Sequence, residues 1–159
     1  ALCKRRPDIG RARRVSTRAP EAGDEDYEGV SASVFAARAA RGDFALHWGA
    51  HGLQYGIPVS VRSALAADRD VLANLSRTAL PKAASTFDDL RVLHVTARPE
   101  VLAERLHDRG RESRAEIAQR LARRTSALPE GLSVIEIDNS GALDDAVATA
   151  CAALYPVNA

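Results

Sequence analysis

The sequence predicts an α/β fold with a mostly parallel β-sheet, and three observations lead to this prediction. Short apolar runs typical of strands alternate with longer segments of helical periodicity, the pattern of right-handed crossover connections. Polar residues follow several of the apolar runs, as expected where parallel strands end at a ligand site. The chain has 159 residues, a length that suits one domain with a sizeable core.

Short elements joined by glycine-containing turns make up the N-terminal half of the chain. Residues 14–18 form a predicted strand that ends in two hydroxyl side chains and an arginine. Ser31 or Ser33 caps the helix that follows, and Gly42 is a usual residue at a helix end. Two short strands then form a predicted hairpin, at residues 44–48 and 54–59.

The C-terminal half alternates strands and helices more regularly. Apolar runs predict the strands, and apolar residues three to four positions apart predict the helices. The predicted elements are a helix at 61–67, a strand at 70–75, a helix at 78–86 that Pro81 breaks early, a strand at 91–95, helices at 99–108 and 113–124, a strand at 133–137 and a helix at 143–154. This alternation favours parallel pairing of the strands.

Charge and cysteine content exclude several classes of partner. The chain carries 22 Lys and Arg against 21 Asp and Glu, so it lacks the overall field of a protein that binds nucleic acid or a membrane surface. Cys3 and Cys151 lie at opposite ends, which argues against a disulfide scaffold and favours a reducing compartment. We expect a cytoplasmic protein that contacts neither nucleic acid nor membrane, and the oligomeric state stays open.

The densest group of charged side chains lies between residues 98 and 124 and is rich in arginine. Arg105 and Arg109 are one helical turn apart directly before Gly110, and Arg120 follows. One interpretation is a solvated helix whose arginines pair with glutamates at i, i+4 spacing. The other is an arginine-lined lid that closes over phosphates during phosphoryl transfer.

Several short segments of the sequence, taken in order, resemble the guanylate kinase superfamily. That family has Thr-Arg-x-Pro at a strand end, an acidic glycine loop with a tyrosine, a Phe-led segment that reaches Tyr-Gly, and an Arg-Leu-x-x-Arg-Gly lid followed by another arginine. The matching residues are Thr17-Arg18-Ala19-Pro20, Gly23 with Tyr27, Phe44 to Tyr55-Gly56, Arg105 to Gly110, and Arg120. The resemblance implies a three-layer P-loop kinase fold that uses ATP and Mg²⁺.

The resemblance also implies a division of the chain. Residues 1–159 form one guanylate kinase-like domain with a core at 1–18 and 60–159, an acceptor-binding insertion at about 19–59 and a lid at about 106–122. The P-loop pattern G-x-x-x-x-G-K-[ST], which holds nucleotide phosphates, does not occur in the sequence. We expect that loop and its N-terminal strand to be missing from the chain as given, upstream of Ala1.

The resemblance assigns roles to residues at the matching positions. Arg18 and Tyr55 would hold the acceptor phosphate, and Tyr27 belongs to the substrate-binding set. The three lid arginines would clamp the phosphates in transfer, and these are Arg105, Arg109 and Arg120.

Departures from the superfamily pattern point to one branch of it. Leu46 stands where guanylate kinases have the glutamate that reads guanine, Arg14 replaces a serine beside the base, and Asn74 replaces an aspartate. Arg14 and the run Asn74-Leu75-Ser76-Arg77 are similar to the ribose 1,5-bisphosphate phosphokinase branch, as is His47-Trp48-x-x-His51-Gly52. A sugar bisphosphate has no base to read and a second phosphate to neutralise, which suits these exchanges.

That branch implies ATP-dependent phosphorylation of ribose 1,5-bisphosphate to 5-phosphoribosyl 1-diphosphate (PRPP), a step of phosphonate catabolism. Asn74, Ser76 and Arg77 join the substrate-binding set, and Arg14 or Arg77 would neutralise the second phosphate. Two alternatives remain: a nucleoside monophosphate kinase, which Leu46 disfavours, and a non-catalytic module that keeps the phosphate-binding surface. We expect no metal site at His47 and His51, because intervening glycines argue against a helix there.

Overall fold

The computed structural model describes residues 1–18, 26–108 and 128–156 of the chain. In order, the elements are α1 (Leu2–Arg5), β1 (Gly10–Arg11), β2 (Arg14–Ser16), β3 (Tyr27–Gly29), α2 (Ala32–Ala40), β4 (Phe44–Ala50), β5 (Leu53–Pro58), α3 (Val61–Ala66), β6 (Val71–Leu72), a 3₁₀ helix (Arg77–Ala79), α4 (Leu80–Ala84), β7 (Arg91–Thr96), α5 (Pro99–Asp108), β8 (Ser133–Asp138) and α6 (Leu143–Leu154). The chain divides into two compact units, Cys3–Leu90 and Ala1–Leu2 with Arg91–Ala159. None of the helices in the described ranges is long and apolar enough to cross a bilayer.

A four-stranded sheet with the order β3-β2-β5-β4 dominates the unit Cys3–Leu90. Strand β2 pairs in parallel with β3 and antiparallel with β5, and β4 and β5 form the hairpin that the sequence predicts. Strands β1 and β6 form a separate parallel pair. The strand β2, which the sequence-based division assigned to the core at 1–18, therefore belongs to the same sheet as the strands of the predicted insertion.

A β-bulge in β4 gives this sheet two different faces. The register shifts between Phe44 and Leu46, so these residues point to opposite sides although residues two apart normally share a face. Phe44 packs with Val15 and with Phe35 of α2. Leu46 packs on the other side in a second apolar cluster, with Trp48, Ile57, Val61, Ala79 and Ala83. We call the first side the helix face and the second the cavity face.

Helix α2 covers the helix face and has the predicted start and end. Ser31 is its N-cap, and the side-chain oxygen accepts a hydrogen bond of 3.2 Å from the amide of Val34. Gly42 follows the last turn at a φ of 78°, a left-handed conformation that glycine adopts without steric cost. The helix thereby stops where β4 must begin.

The second unit is built on the parallel pair β7 and β8. Their register runs from Arg91 beside Ser133 to Thr96 beside Asp138. Helix α6 packs against this pair through a cluster of apolar residues, Ile137, Ala146 and Ala150 with Leu93 and Ile135. The predicted strands, the predicted α6 and the start of α5 at Pro99 are confirmed here.

Two sequence-based predictions were wrong in detail. The strand predicted at 70–75 contains only Val71–Leu72, because the residues after it leave the pairing with β1. Pro81 does not break a helix but lies in the first turn of α4, where its missing N–H donor is not needed. The helix predicted at 113–124 lies outside the described residues.

Candidate functional site

Side chains from all four strands of the β3-β2-β5-β4 sheet form a row on the cavity face. The register places Arg14 beside Tyr27, Ser16 beside Tyr55, and Tyr55 opposite Trp48. Because side chains alternate along a strand, Arg14 and Ser16 lie on the same side of β2. Residues that are far apart in the sequence therefore meet across the sheet.

This row borders a cavity of about 200 Å³ within the unit Cys3–Leu90. Ten of the described residues line it: Arg14, Ser16, Arg18, Tyr27, Trp48, Ala50, His51, Tyr55, Leu75 and Ser76. Their side chains include two guanidinium groups, an imidazole, and four hydroxyls from serine and tyrosine, and none of these ten residues is Asp or Glu. Such a set suits an anionic ligand with several oxygen atoms.

Arg14 is held against the cavity wall by an aromatic ring and a carbonyl. Its guanidinium carbon lies 5.2 Å from the centroid of the Tyr55 ring, a cation–π distance. Its Nη1 donates a hydrogen bond of 3.2 Å to the carbonyl of Asn74. The Tyr55 ring in turn stacks on Trp48, with centroids 5.5 Å apart and an interplanar angle of 18°. These contacts give the guanidinium a defined position.

Close packing explains why the residue after Tyr55 is a glycine, Gly56. A Cβ at Gly56 would lie 2.6 Å from Cδ1 of Phe44, closer than carbon atoms can approach. The Phe44 ring lies on the helix face against Gly56, and Tyr55 beside it reaches the cavity face. Absence of a side chain at Gly56 thus allows the core on one face to support the tyrosine on the other.

The end of β2 is fastened to the hairpin. The Thr17 amide donates to the carbonyl of Gln54 at 3.1 Å, and the Gln54 amide donates to the Thr17 hydroxyl at 2.9 Å. Ser16 is only 2% exposed, and its hydroxyl accepts a 3.1 Å hydrogen bond from the Arg18 amide. The exposed Arg18 side chain therefore starts from an anchored backbone.

The segment after β6 supplies the opposite wall of the cavity. Leu75 and Ser76 line it, and the Ser76 hydroxyl lies 2.9 Å from that of Thr78. Asn74 contributes its backbone carbonyl to Arg14, and Arg77 begins the 3₁₀ helix. Asn74 and Arg77 are not among the lining residues, so the structure brings together five of the seven predicted substrate-binding residues.

An ion-pair cluster precedes Tyr27. Asp26 accepts hydrogen bonds from Nη2 of Arg11 at 2.6 Å and from Nε of Arg13 at 2.9 Å. The hydrogen bond from Arg13 is the largest cause that lowers the pKa of the Asp26 carboxyl below its usual value. The charged carboxylate thus anchors the start of β3 beside the cavity.

Of the three predicted lid arginines the structure describes Arg105, which belongs to the other unit. Arg105 on α5 donates from Nη1 to the carbonyl of Asn139 at 2.6 Å and from Nη2 to that of Gly141 at 3.1 Å. Asp138 precedes that loop, and hydrogen bonds from Ser140 lower the pKa of its carboxyl. Arg109 and Arg120 lie outside the described residues, and the catalytic role of all three arginines stays a prediction.

The two histidines of the hairpin lie in different surroundings. The His47 ring lies 6.5 Å from that of Phe35 and 6.2 Å from that of Phe44, on the helix face. Burial, followed by the charge of Lys82, lowers the pKa of His47. His51 lines the cavity instead. Within the ranges that the structure describes, no group of three or more potential metal ligands converges.

Sequence reasoning missed part of the cavity wall. It gave no binding role to Trp48, Ala50, His51 or Leu75, and it named Ser16 only as one of the polar candidates at a strand end. Sequence reasoning took Trp48 as a packing residue. Trp48 lies opposite Tyr55 in the hairpin, and this cross-strand pairing was the signal that would have placed both side chains on one face. His51 carried no such signal, because its place depends on the conformation of the hairpin turn.

Comparison with known proteins gives two kinds of relative. The ribose 1,5-bisphosphate phosphokinase PhnN of Ruegeria sp. (strain TM1040) is 56% identical over 145 residues, 91% of this chain and 76% of that protein. The PhnN of Agrobacterium fabrum (strain C58 / ATCC 33970) is 47% identical over 141 residues, 89% of this chain and 77% of that protein. No family model matches the chain.

Among solved structures, the guanylate kinase from Anaplasma phagocytophilum superposes on the chain with a TM-score of 0.69 at 18% sequence identity. The match covers 96% of this chain and 78% of that one. At this identity the likeness concerns the fold, and it confirms the α/β fold of guanylate kinase type that the sequence predicts.

Proposed function

The chain belongs to the ribose 1,5-bisphosphate phosphokinase family, and on this premise we propose that it transfers the γ-phosphoryl group of ATP to ribose 1,5-bisphosphate. An oxygen of the 1-phosphate attacks the γ-phosphorus, and the bond from that phosphorus to the bridging oxygen of ADP breaks. The products are PRPP and ADP. A place in phosphonate catabolism and in the cytoplasm belongs to the same proposal, supported by the PhnN relatives and the two widely separated cysteines.

The composition of the cavity is the observation that carries the proposal. Among the residues that the structure describes, the charged lining side chains are basic, and none supplies a carboxylate to accept the N–H donors of a guanine ring. Leu46, at the position of the guanine-reading glutamate, is 1% exposed within an apolar cluster. An acceptor without a base and with two phosphates fits this lining better than a nucleoside monophosphate does.

The residues of the site would act by alignment and charge neutralisation. The acceptor phosphate is already ionised, so no protein nucleophile is needed. Arg18, Tyr27 and Tyr55 would hold one phosphate of the acceptor, and Arg14 with Ser76 would hold the other. Guanidinium groups match phosphate oxygens in geometry, and fixing the attacking oxygen in line with the γ-phosphorus removes much of the entropic barrier.

The nucleotide side of the reaction rests on family membership. The predicted clamp of Arg105, Arg109 and Arg120 would neutralise charge on the transferred group. Asn74 supplies an amide where the guanylate kinase pattern has a carboxylate, and the described residues do not converge as a metal site. The described residues alone do not form a Mg²⁺ site, which agrees with the usual binding of this ion through substrate phosphates. We therefore assign no step of the reaction to the ion.

Phosphorus NMR tests the proposal directly. The full-length gene product, mixed with ATP, Mg²⁺ and ribose 1,5-bisphosphate, is expected to produce the paired resonances of a diphosphate on C1 together with ADP. Ribose 5-phosphate, which lacks the accepting phosphate, is the matched control and should give no such product. Absence of the diphosphate with ribose 1,5-bisphosphate, in a preparation that phosphorylates a nucleoside monophosphate, would show that the acceptor assignment is wrong.

A further inference from the structure

We propose that His51 is a substrate-binding residue whose imidazole N–H donates a hydrogen bond to an acceptor phosphate at the rim that also carries Arg18. This inference deepens the proposed function and depends on it only for the identity of the phosphate ester. The family resemblance includes His51 in a segment similar to the phosphokinase branch, but it gives this residue no role.

The first argument is the conformation of the hairpin turn. Ala50 pairs with Leu53, so His51 and Gly52 form a two-residue connection. Their φ angles are 53° and 74°, and positive φ at both central residues defines a type I′ turn. Glycine, asparagine and aspartate favour the first of these positions more than histidine does. His51 thus occupies a turn position that other residues favour more, and its ring lines the cavity.

The second argument is how firmly this turn is held. The two hydrogen bonds between Thr17 and Gln54 fasten β5, next to the turn, to the end of β2. The residue after Thr17 is Arg18, whose amide donates a hydrogen bond to the Ser16 hydroxyl. The backbones that carry the imidazole and the Arg18 guanidinium are thus parts of one hydrogen-bonded frame. A phosphate at this rim can meet both groups without rearrangement of the sheet.

The third argument is charge. Among the described residues, the titratable and charged groups that share the cavity with His51 are Arg14, Arg18, Tyr27 and Tyr55. In the same ranges of the chain, none makes a hydrogen bond or an ion pair with the His51 ring. Two guanidinium groups cannot neutralise two phosphate dianions. The imidazole N–H is a further donor for the phosphate oxygens that the two guanidinium groups leave uncompensated.

Trp48 provides a binding signal that does not depend on turnover. It is the single tryptophan of the chain, it lines the cavity, and it stacks on Tyr55. A ligand that binds beside this pair should change its fluorescence. We would titrate the protein with ribose 1,5-bisphosphate and, separately, with inorganic phosphate, at pH 6.5 and at pH 8.

The decisive variant is His51→Asn. Asparagine adopts left-handed φ readily and precedes glycine in the commonest type I′ turns, so the hairpin should stay folded while the imidazole is lost. We expect Kd for ribose 1,5-bisphosphate to rise on the order of tenfold at both pH values, the effect of losing a hydrogen bond to a charged group.

Two comparisons isolate the imidazole. Phosphate monoesters titrate near pH 6, so the charge of the ligand differs between the two pH values. Because the ligand is the same for both proteins, its titration cancels in the ratio of their Kd values. Asp68→Asn is the matched control, because Asp68 is exposed, has a φ of 58° and does not line the cavity. Its Kd should equal that of the unmodified protein, and the Tm of the His51→Asn protein should not fall.

The outcomes separate this inference from the proposed function. Equal Kd for the unmodified and His51→Asn proteins at both pH values overturns the role of His51 and leaves the acceptor assignment intact. Binding of inorganic phosphate that depends on His51, without binding of ribose 1,5-bisphosphate, supports His51 and overturns the acceptor. An equal loss of affinity in Asp68→Asn would show that the effect does not depend on the imidazole and would overturn the role.

Discussion

The cavity face and the helix face of the four-stranded sheet differ in what their side chains do. On the cavity face, Arg14 and Tyr55 meet across neighbouring strands and border open space. On the helix face, Phe44 stacks on Phe35 of α2 with centroids 4.7 Å apart, and both rings are buried. Strands of the same sheet supply Arg14, Tyr55 and Phe44. Binding and stability are therefore assigned to opposite sides of one sheet, and substitutions should separate them.

The largest expected effect is on the helix face. Phe44→Ala removes a buried ring and should lower the free energy of unfolding by about 3–5 kcal/mol. Chemical denaturation of the unmodified and variant proteins measures this loss. Because Trp48 lies on the other face, its fluorescence reports unfolding without direct contact with the substitution.

Gly56→Ala provides the control for this first prediction. The added methyl group meets the Phe44 ring and should cost about 1–3 kcal/mol. In the Phe44→Ala, Gly56→Ala double variant the ring is absent, so the second substitution should cost much less. Strictly additive losses would show that the ring does not press on Gly56.

An intermediate effect is expected on the cavity face. Arg18→Ala should lower kcat/KM for ribose 1,5-bisphosphate on the order of a hundredfold, because a charged group on the phosphate is lost. The exposed side chain supports no core, so Tm should change little. Steady-state kinetics and a thermal melt of the same preparation measure both. A large fall in Tm with unchanged kcat/KM would reverse the assignment of the two faces.

The smallest effect concerns pH and sharpens the contrast between two histidines of one hairpin. Burial lowers the pKa of His47 below its reference of 6.5, so the unfolded chain binds this proton more readily than the folded one. Stability should therefore fall as the pH drops below 6.5 and be fully regained above it. Replacement by Gln should flatten this acid-side slope of Tm against pH, and an unchanged slope would contradict the assignment. For His51 we expect an effect on ligand affinity instead.

Local sequence signals predicted most of the elements, and the family resemblance predicted half of the described residues that line the cavity. The capped helix α2, the hairpin and α6 follow from caps, glycines and apolar periodicity, which act within a few residues. The strand at 70–75 was predicted too long, because the extent of a strand depends on its partner. Arg14, Arg18, Tyr27, Tyr55 and Ser76 reached the same cavity as the family resemblance implies, although their individual roles remain predictions.

The sequence by itself determined the family and the α/β fold, because the motifs are ordered along the chain and each is readable in one short segment. The tertiary structure alone decided which side chains share a face. Alternation along β4 would place Phe44 and Leu46 together, but the bulge between them turns Phe44 toward α2. Bulges, registers and left-handed turns such as that at His51 arise from contacts between distant segments, so no local pattern announces them.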